Sequence, residues 1–292
     1  MYATDFEYDG KRLSEYGMTI CSFNGSQDLE TVSSGADISF GQLSSGTSDN
    51  FKLYSSIYES PYNLSFQICK NPCVLENDDM YINPEKISAI QKWLCRKNYH
   101  KFKVDQDEYR NYYWNSVFNS KQLMQNGRII GLELTMYADS PYAYLDDIIL
   151  EFDCDADVPF TIFSKSDEEG WIYPYVDIIC LGSNITNSDG IIISQDPDSS
   201  IEDMQIYSLE ISNSMDYKTT KINGCKKNET ISIDGRNLMI SSSDPTHTSL
   251  ANDFNYCFPR LFRTFENSKN IFKANMNCII KFRYSPIKKI GL

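Results

Sequence analysis

Short runs of alternating side-chain character, each closed by a turn signal, recur along almost the whole chain and limit it to a fold built on strands. The stretch 229–242, ETISIDGRNLMISS, is representative. Ile231 and Ile233 share one face of a strand. Asp234-Gly235 supplies the reversal, because glycine accepts the positive φ that short hairpin turns demand. Met239 or its neighbours then face the core across the hairpin, and Glu229, Asp234 and Arg236 read as turn and rim residues. Asn126-Gly127, between KQLMQ and RIIGLELTMYA, is a second hairpin signal of type I′, and Asp9-Gly10 marks a third turn. The chain holds 20 Tyr and 16 Phe, residues that suit the half-buried surface of a sheet. The pattern predicts a mainly β protein.

One segment departs from the strand period. INPEKISAIQKWLCRKN predicts a helix over about 84–97, with Asn83 as N-cap, Pro84 at the first helical position and Glu85 in the first turn. Ile87, Ile90 and Leu94 recur at helical spacing, with Ala89 and Trp93 widening the stripe. The plain reading is a helix covering a sheet. The functional reading makes Ile87, Ile90, Trp93 and Leu94 candidates for a contact with a neighbouring subunit. Residues 28–50, rich in Ser and Gly, lose regular patterning and suit a flexible arm. ADSPYAYLDD breaks the strand pattern and places a domain boundary near 147. Residues 1–147 then form a domain with the single helix. Residues 148–292 form a second domain of short strands, among them GIIISQ, MQIYSLEIS and MNCIIKFRY, in the manner of an antiparallel sandwich.

Charge narrows the function. With 27 Lys and Arg against 40 Asp and Glu, the net charge is −13. No basic run offers the counterion-displacing surface that tight binding to duplex nucleic acid uses. An acidic wall past which nucleic acid slides is compatible with that balance. The nine cysteines are dispersed, and CKNPC has no second Cys or His pair to complete a zinc site. The opening residues lack the charged and apolar regions of a signal peptide, and no run approaches a membrane span. The expectation is free thiols in a reducing cytoplasm, with no cofactor, metal or membrane.

Catalytic patterns are absent from the sequence. No G-x-S-x-G, P-loop or H-E-x-x-H occurs, and neither His100 nor His247 stands beside a readable nucleophile. Asp153, Asp155 and Asp157 alternate as calcium ligands do, without the Gly and distal Glu of an EF-hand. Asp253 in NDFNYCFPRLF is the acid a hydrolase would use, and a structural role suits it better. Trp171 in EEGWIYPYVDI is the only Trp of the second half and could stack on a sugar. This keeps a carbohydrate-binding module for a cell-wall glycan as the alternative function.

The order of segments resembles the distal tail protein (Dit) family of long-tailed phages and prophages of Gram-positive bacteria. FEYDGKRLSEYGMTICSF is similar to that family's opening. ISAIQKWLCRKN, YYWNSVF and NGRIIGLELTMYADSPYAY look like its helix and closing strands. YPYVDIICLG, ETISIDGRNLMISSS and DFNYCFPRLF resemble its second domain. The resemblance implies two β-sandwich domains, the first tail-tube-like with one flanking helix and the second galectin-like, of jelly-roll type. It implies a non-enzymatic virion protein that forms a homo-hexamer at the tail tip and is assembled in the host cytoplasm. The ring would join the tail tube protein to the tail hub and, in some particles, to the tape measure and receptor-binding proteins. DNA would pass through its lumen without specific binding. Trp171 and Arg236 become candidates for partner docking on the second domain. The sequence lacks the clustered polar set with which galectins hold sugar, so the fold alone does not imply sugar binding.

Overall fold

The structure is a computed structural model and describes residues 3–23, 38–42, 53–58, 61–74, 80–182 and 206–292. It is mainly β and divides into two compact units, residues 1–146 with 287–292, and residues 147–286.

In the first unit, β1 (Phe6–Tyr8) and β2 (Lys11–Arg12) turn through Asp9 and Gly10, both at positive φ. β3 (Met18–Cys21) follows. β4 (Ile38–Gln42) pairs with β5 (Leu53–Tyr58), Ile38 opposite Tyr58. Residues 38–42, expected within an unpatterned arm, are therefore a strand, and the rest of that arm lies outside the described residues. A partner more than ten residues downstream supplies the ladder bonds that local composition does not announce.

β6 (Asn63–Lys70) precedes α1 (Pro84–Leu94), which is followed by β7 (His100–Val104), β8 (Tyr112–Gln125), β9 (Arg128–Ala138) and β10 (Ala143–Leu145). The main sheet runs β2-β1-β7-β8-β9-β6-β3, with β10 joined to β8. The long β8–β9 hairpin turns on Asn126 (φ 51°) and Gly127 (φ 75°), the two positive values a type I′ turn requires. Asn83 Oδ1 caps α1 by accepting the Lys86 N–H at 2.9 Å. The helix ends at Leu94, three residues before the expected end, where Cys95 leaves helical geometry.

The second unit begins with β11 (Ile148–Cys154), β12 (Phe160–Phe163), β13 (Gly170–Ile172) and β14 (Tyr175–Gly182). The expected strand GIIISQ lies outside the described residues. β15 (Ile206–Asn213), β16 (Thr220–Lys226), β17 (Thr230–Asp234) and β18 (Met239–Ser242) lead to the single turn of α2 (Leu250–Asp253). β19 (Leu261–Arg263), β20 (Lys269–Ala274) and β21 (Asn277–Tyr284) complete it. One sheet is ordered β11-β21-β14-β17-β18 and the other β12-β20-β15-β16, with β13-β19 as a separate pair. Val176, Ile178, Ile280 and Phe282 of the first sheet and Leu209, Ile211, Ile222 and Phe272 of the second share one buried core, as a sandwich requires.

The chain then returns to the first unit. β22 (Ile287–Lys288) pairs with β10, Ala143 opposite Lys288. The Leu292 N–H donates to Tyr62 Oη at 2.8 Å, and the Tyr62 hydroxyl donates to the Leu292 carbonyl at 3.1 Å. The last six residues, expected in the second domain, thus belong to the first.

The 229–242 hairpin differs from expectation in its turn. Its loop is four residues, 235–238, and the positive φ falls on Leu238 (54°) while Gly235 keeps a negative one. Gly235 is needed for space. A Cβ there would lie 2.5 Å from the Pro174 carbonyl oxygen, to which the Gly235 N–H donates. Ile231 and Ile233 are fully buried, whereas Met239 is exposed and Ile240, opposite Ile233, packs on the core.

Candidate functional site

The second unit buries a network of ionisable side chains. The β16–β17 turn passes through Asn228 at φ 62° and delivers Glu229 inward. The segment after β18 brings His247, and α2 brings Asp253. Glu229 Oε1 lies 2.6 Å from His247 Nδ1 and accepts from Ser242 Oγ at 2.5 Å. The other Glu229 oxygen accepts the Lys226 N–H at 2.7 Å. His247 Nε2 stands 3.4 Å from Asp253 Oδ2, within ion-pair range but without hydrogen-bond geometry. Ser249 Oγ donates to that Asp253 oxygen. Gly224 leaves room for the imidazole, since a Cβ there would meet Nε2 at 3.1 Å.

At the edge of this network Lys226 Nζ meets Asp244 at 2.7 Å and also reaches Thr246. The Lys226 bond, followed by the Thr246 N–H and hydroxyl, holds the Asp244 carboxyl down at about 2.

Glu229, expected at the rim, is instead buried beside a buried histidine, their side chains 1% and 3% exposed. The signal was present in the strand period. Glu229 has the same parity as Ile231 and Ile233 and therefore faces the same way. Chemically the arrangement ties segments together. The Ser242 and Ser249 hydroxyls of this network are committed to the Glu229 and Asp253 carboxylates. Asp253, the acid singled out for hydrolysis, is one of those ties.

Trp171 lies on β13 with the Arg260 guanidinium 3.9 Å over its ring and Phe262 4.5 Å away between centroids. Asp216 fixes that guanidinium through two bonds, of 2.5 and 3.0 Å, and Tyr173 Oη accepts a third at 3.2 Å. One face of the ring is thus covered by a cation. Arg236 is exposed on the β17–β18 loop, so Trp171 and Arg236 stand on separate sheets.

In the first unit Ile87, Ile90, Trp93 and Leu94 point into the unit's own core. Trp93 stacks on Tyr16 at 4.6 Å and donates its Nε1–H to the Tyr8 carbonyl at 3.0 Å. The subunit-contact reading of these four residues is corrected accordingly. The amphipathic period that located the helix also marks its inward face, so a contact carried by α1 would use exposed positions such as Glu85, Ala89 and Lys92.

Among the described residues, β2 and β3 end the main sheet of the first unit, Met124 is exposed near the β8–β9 tip, and exposed rings mark three loops of the second unit. Those loops carry the exposed rings of Tyr217, Tyr256 and Phe265. The loops bearing Tyr217 and Tyr256 are tied to each other by the Arg260–Asp216 pair and by Asn255 Nδ2–H donating to the Thr219 carbonyl.

Among the described residues no group of three or more His, Cys, Asp or Glu could hold a metal ion, and no helix is long and apolar enough to cross a membrane. Asp157 of the alternating acidic stretch pairs with Lys273 at 3.0 Å.

Residues 1–140 match the family model of a phage tail protein N-terminal domain, and residues 181–284 match that of a phage tail C-terminal domain. No curated protein matches the sequence. Among solved structures, the fold is similar to that of the SPP1 Dit (gp 19.1) protein, described as a paradigm of the hub adsorption apparatus in Gram-positive infecting phages. The TM-score is 0.60 at 12% identity, covering 96% of this chain and 98% of that one. At that identity the likeness is one of fold.

Proposed function

The chain belongs to a family of phage tail proteins, whose N- and C-terminal domains it carries in order on a distal-tail-protein fold, and from this we propose a specific place for it in the particle. It is the distal tail component, a hexameric ring that joins the end of the tail tube to the tail hub or baseplate. It has no chemistry of its own. The observation that carries this reading is the fold likeness, which extends over both units rather than one. Ring closure would use the first unit, whose sheet, among the described residues, ends at β2 and β3 and carries the long β8–β9 hairpin tip. The tied loops bearing Tyr217 and Tyr256 support docking of receptor-binding or baseplate proteins on the second unit, because a loop held in place loses less backbone entropy on binding while presenting exposed aromatic area.

Six copies would carry a formal charge of about −78, six times −13. Part of that charge faces the lumen and repels passing DNA rather than holding it. A neutral or basic channel wall in an assembled ring would rule this out. Antibody labelling of intact particles tests the location. Label at the far end of the tail is expected, and label along the tube or at the capsid end would overturn the proposal.

A further inference from the structure

Four thiols lie side by side in the core of the second unit. Cys154, the last residue of β11, is directly opposite Cys278 on β21, and Cys278 is directly opposite Cys180 on β14. Cys225, on β16 of the facing sheet, lies in the same buried core as Cys180, and its thiol donates to the Ile222 carbonyl at 3.5 Å. All four are free thiols.

They differ in access. Cys154 ends the edge strand of its sheet and keeps 6% exposure, while Cys180, Cys225 and Cys278 are fully buried. The Cys154 thiol donates to the Phe152 carbonyl at 3.6 Å, and the neighbouring Cys278 thiol holds Cys154 below its ordinary range, against burial and the nearby charges of Asp153 and Asp155. The Cys154 side chain and burial push Cys278 upward. Directly opposed residues of antiparallel strands have Cα atoms about 4.5–5.5 Å apart, inside the range of about 4.4–6.8 Å that a disulfide spans.

We propose that Cys154 and Cys278 form a redox latch, oxidised by a small diffusible disulfide to a cystine that joins the first and last strands of the second unit. The Cys154 thiolate attacks one sulfur of the reagent, forming a mixed disulfide and expelling one small thiolate. Cys278 then attacks the Cys154 sulfur and expels the second. The two protein thiol protons end on the two released small thiols, and the protein loses the two electrons the reagent gains. The bond closes nearly the whole unit into one loop, which constrains its unfolded state strongly. In a reducing compartment the latch stays open.

The full chain, purified reduced, is incubated with oxidised glutathione, its remaining thiols are alkylated, and its peptides are mapped without reduction. The expected product is a 154–278 linked peptide pair, with the unfolding midpoint of the second unit raised by about 10 °C. Cys154→Ser should fold and lose both the link and the shift, which separates the latch from any packing role of Cys278. Glutathione on exposed Cys73 and Cys95 alone, with Cys154 and Cys278 still free, would overturn the proposal. So would a link through Cys180 in place of Cys154, or a midpoint shift that survives in Cys154→Ser.

Discussion

At the scale of single residues, the second unit keeps a carboxylate and an imidazole out of water by pairing them. Removing one partner of such a pair strands the other. His247→Ala leaves Glu229 with only Ser242 and the Lys226 N–H, and should destabilise the second unit by about 3 kcal/mol or more in urea unfolding. A loss below about 1 kcal/mol would mean that the pair does not form. Asp244 makes a pH-dependent contribution. Its folded value of about 2 lies below the ordinary 3.8, so its stabilisation is complete above the ordinary value and is lost as pH falls toward 2. Acid unfolding of Asp244→Asn should therefore show a shallower fall across that window than the parent chain. Neither group was legible as a pair in the sequence, because residues 229 and 247 meet only through the β17–β18 hairpin. The inward parity of Glu229 was legible, yet its charge outweighed its position in the reading.

At the scale of elements, the sequence carried what is local. Asn83 followed by Pro84 and an apolar stripe fixed α1, and Asn126-Gly127 fixed the β8–β9 reversal. Where an element depends on a distant partner, the local reading stopped short. β4 sits in a Ser- and Gly-rich stretch and exists as a strand through β5. At the 235–238 loop glycine was read as serving φ, when it serves the approach of the Pro174 carbonyl. Gly235→Ala should accordingly cost about 1–3 kcal/mol, because backbone must shift to admit the Cβ. An unfolding midpoint left unchanged by Gly235→Ala would contradict this close approach.

At the scale of the whole molecule, the chain divides into residues 1–146 with 287–292 and residues 147–286, and the return of 287–292 to the first unit left no local signal in the sequence. That return rests on the β10–β22 ladder and on two hydrogen bonds between Tyr62 and Leu292, all of them contacts between distant parts of the chain. Deleting residues 287–292 should lower the unfolding midpoint of the first unit and leave that of the second unchanged, as read by differential scanning calorimetry. Loss in the second unit instead would contradict the assignment. The same first unit is the one on which assembly rests in this account, through the ends of its sheet and its hairpin tip rather than the buried face of α1. Negative-stain microscopy of the purified full chain tests that claim most directly. The account predicts closed rings with sixfold class averages and a central lumen, and a uniform population of monomers across assembly conditions would contradict it.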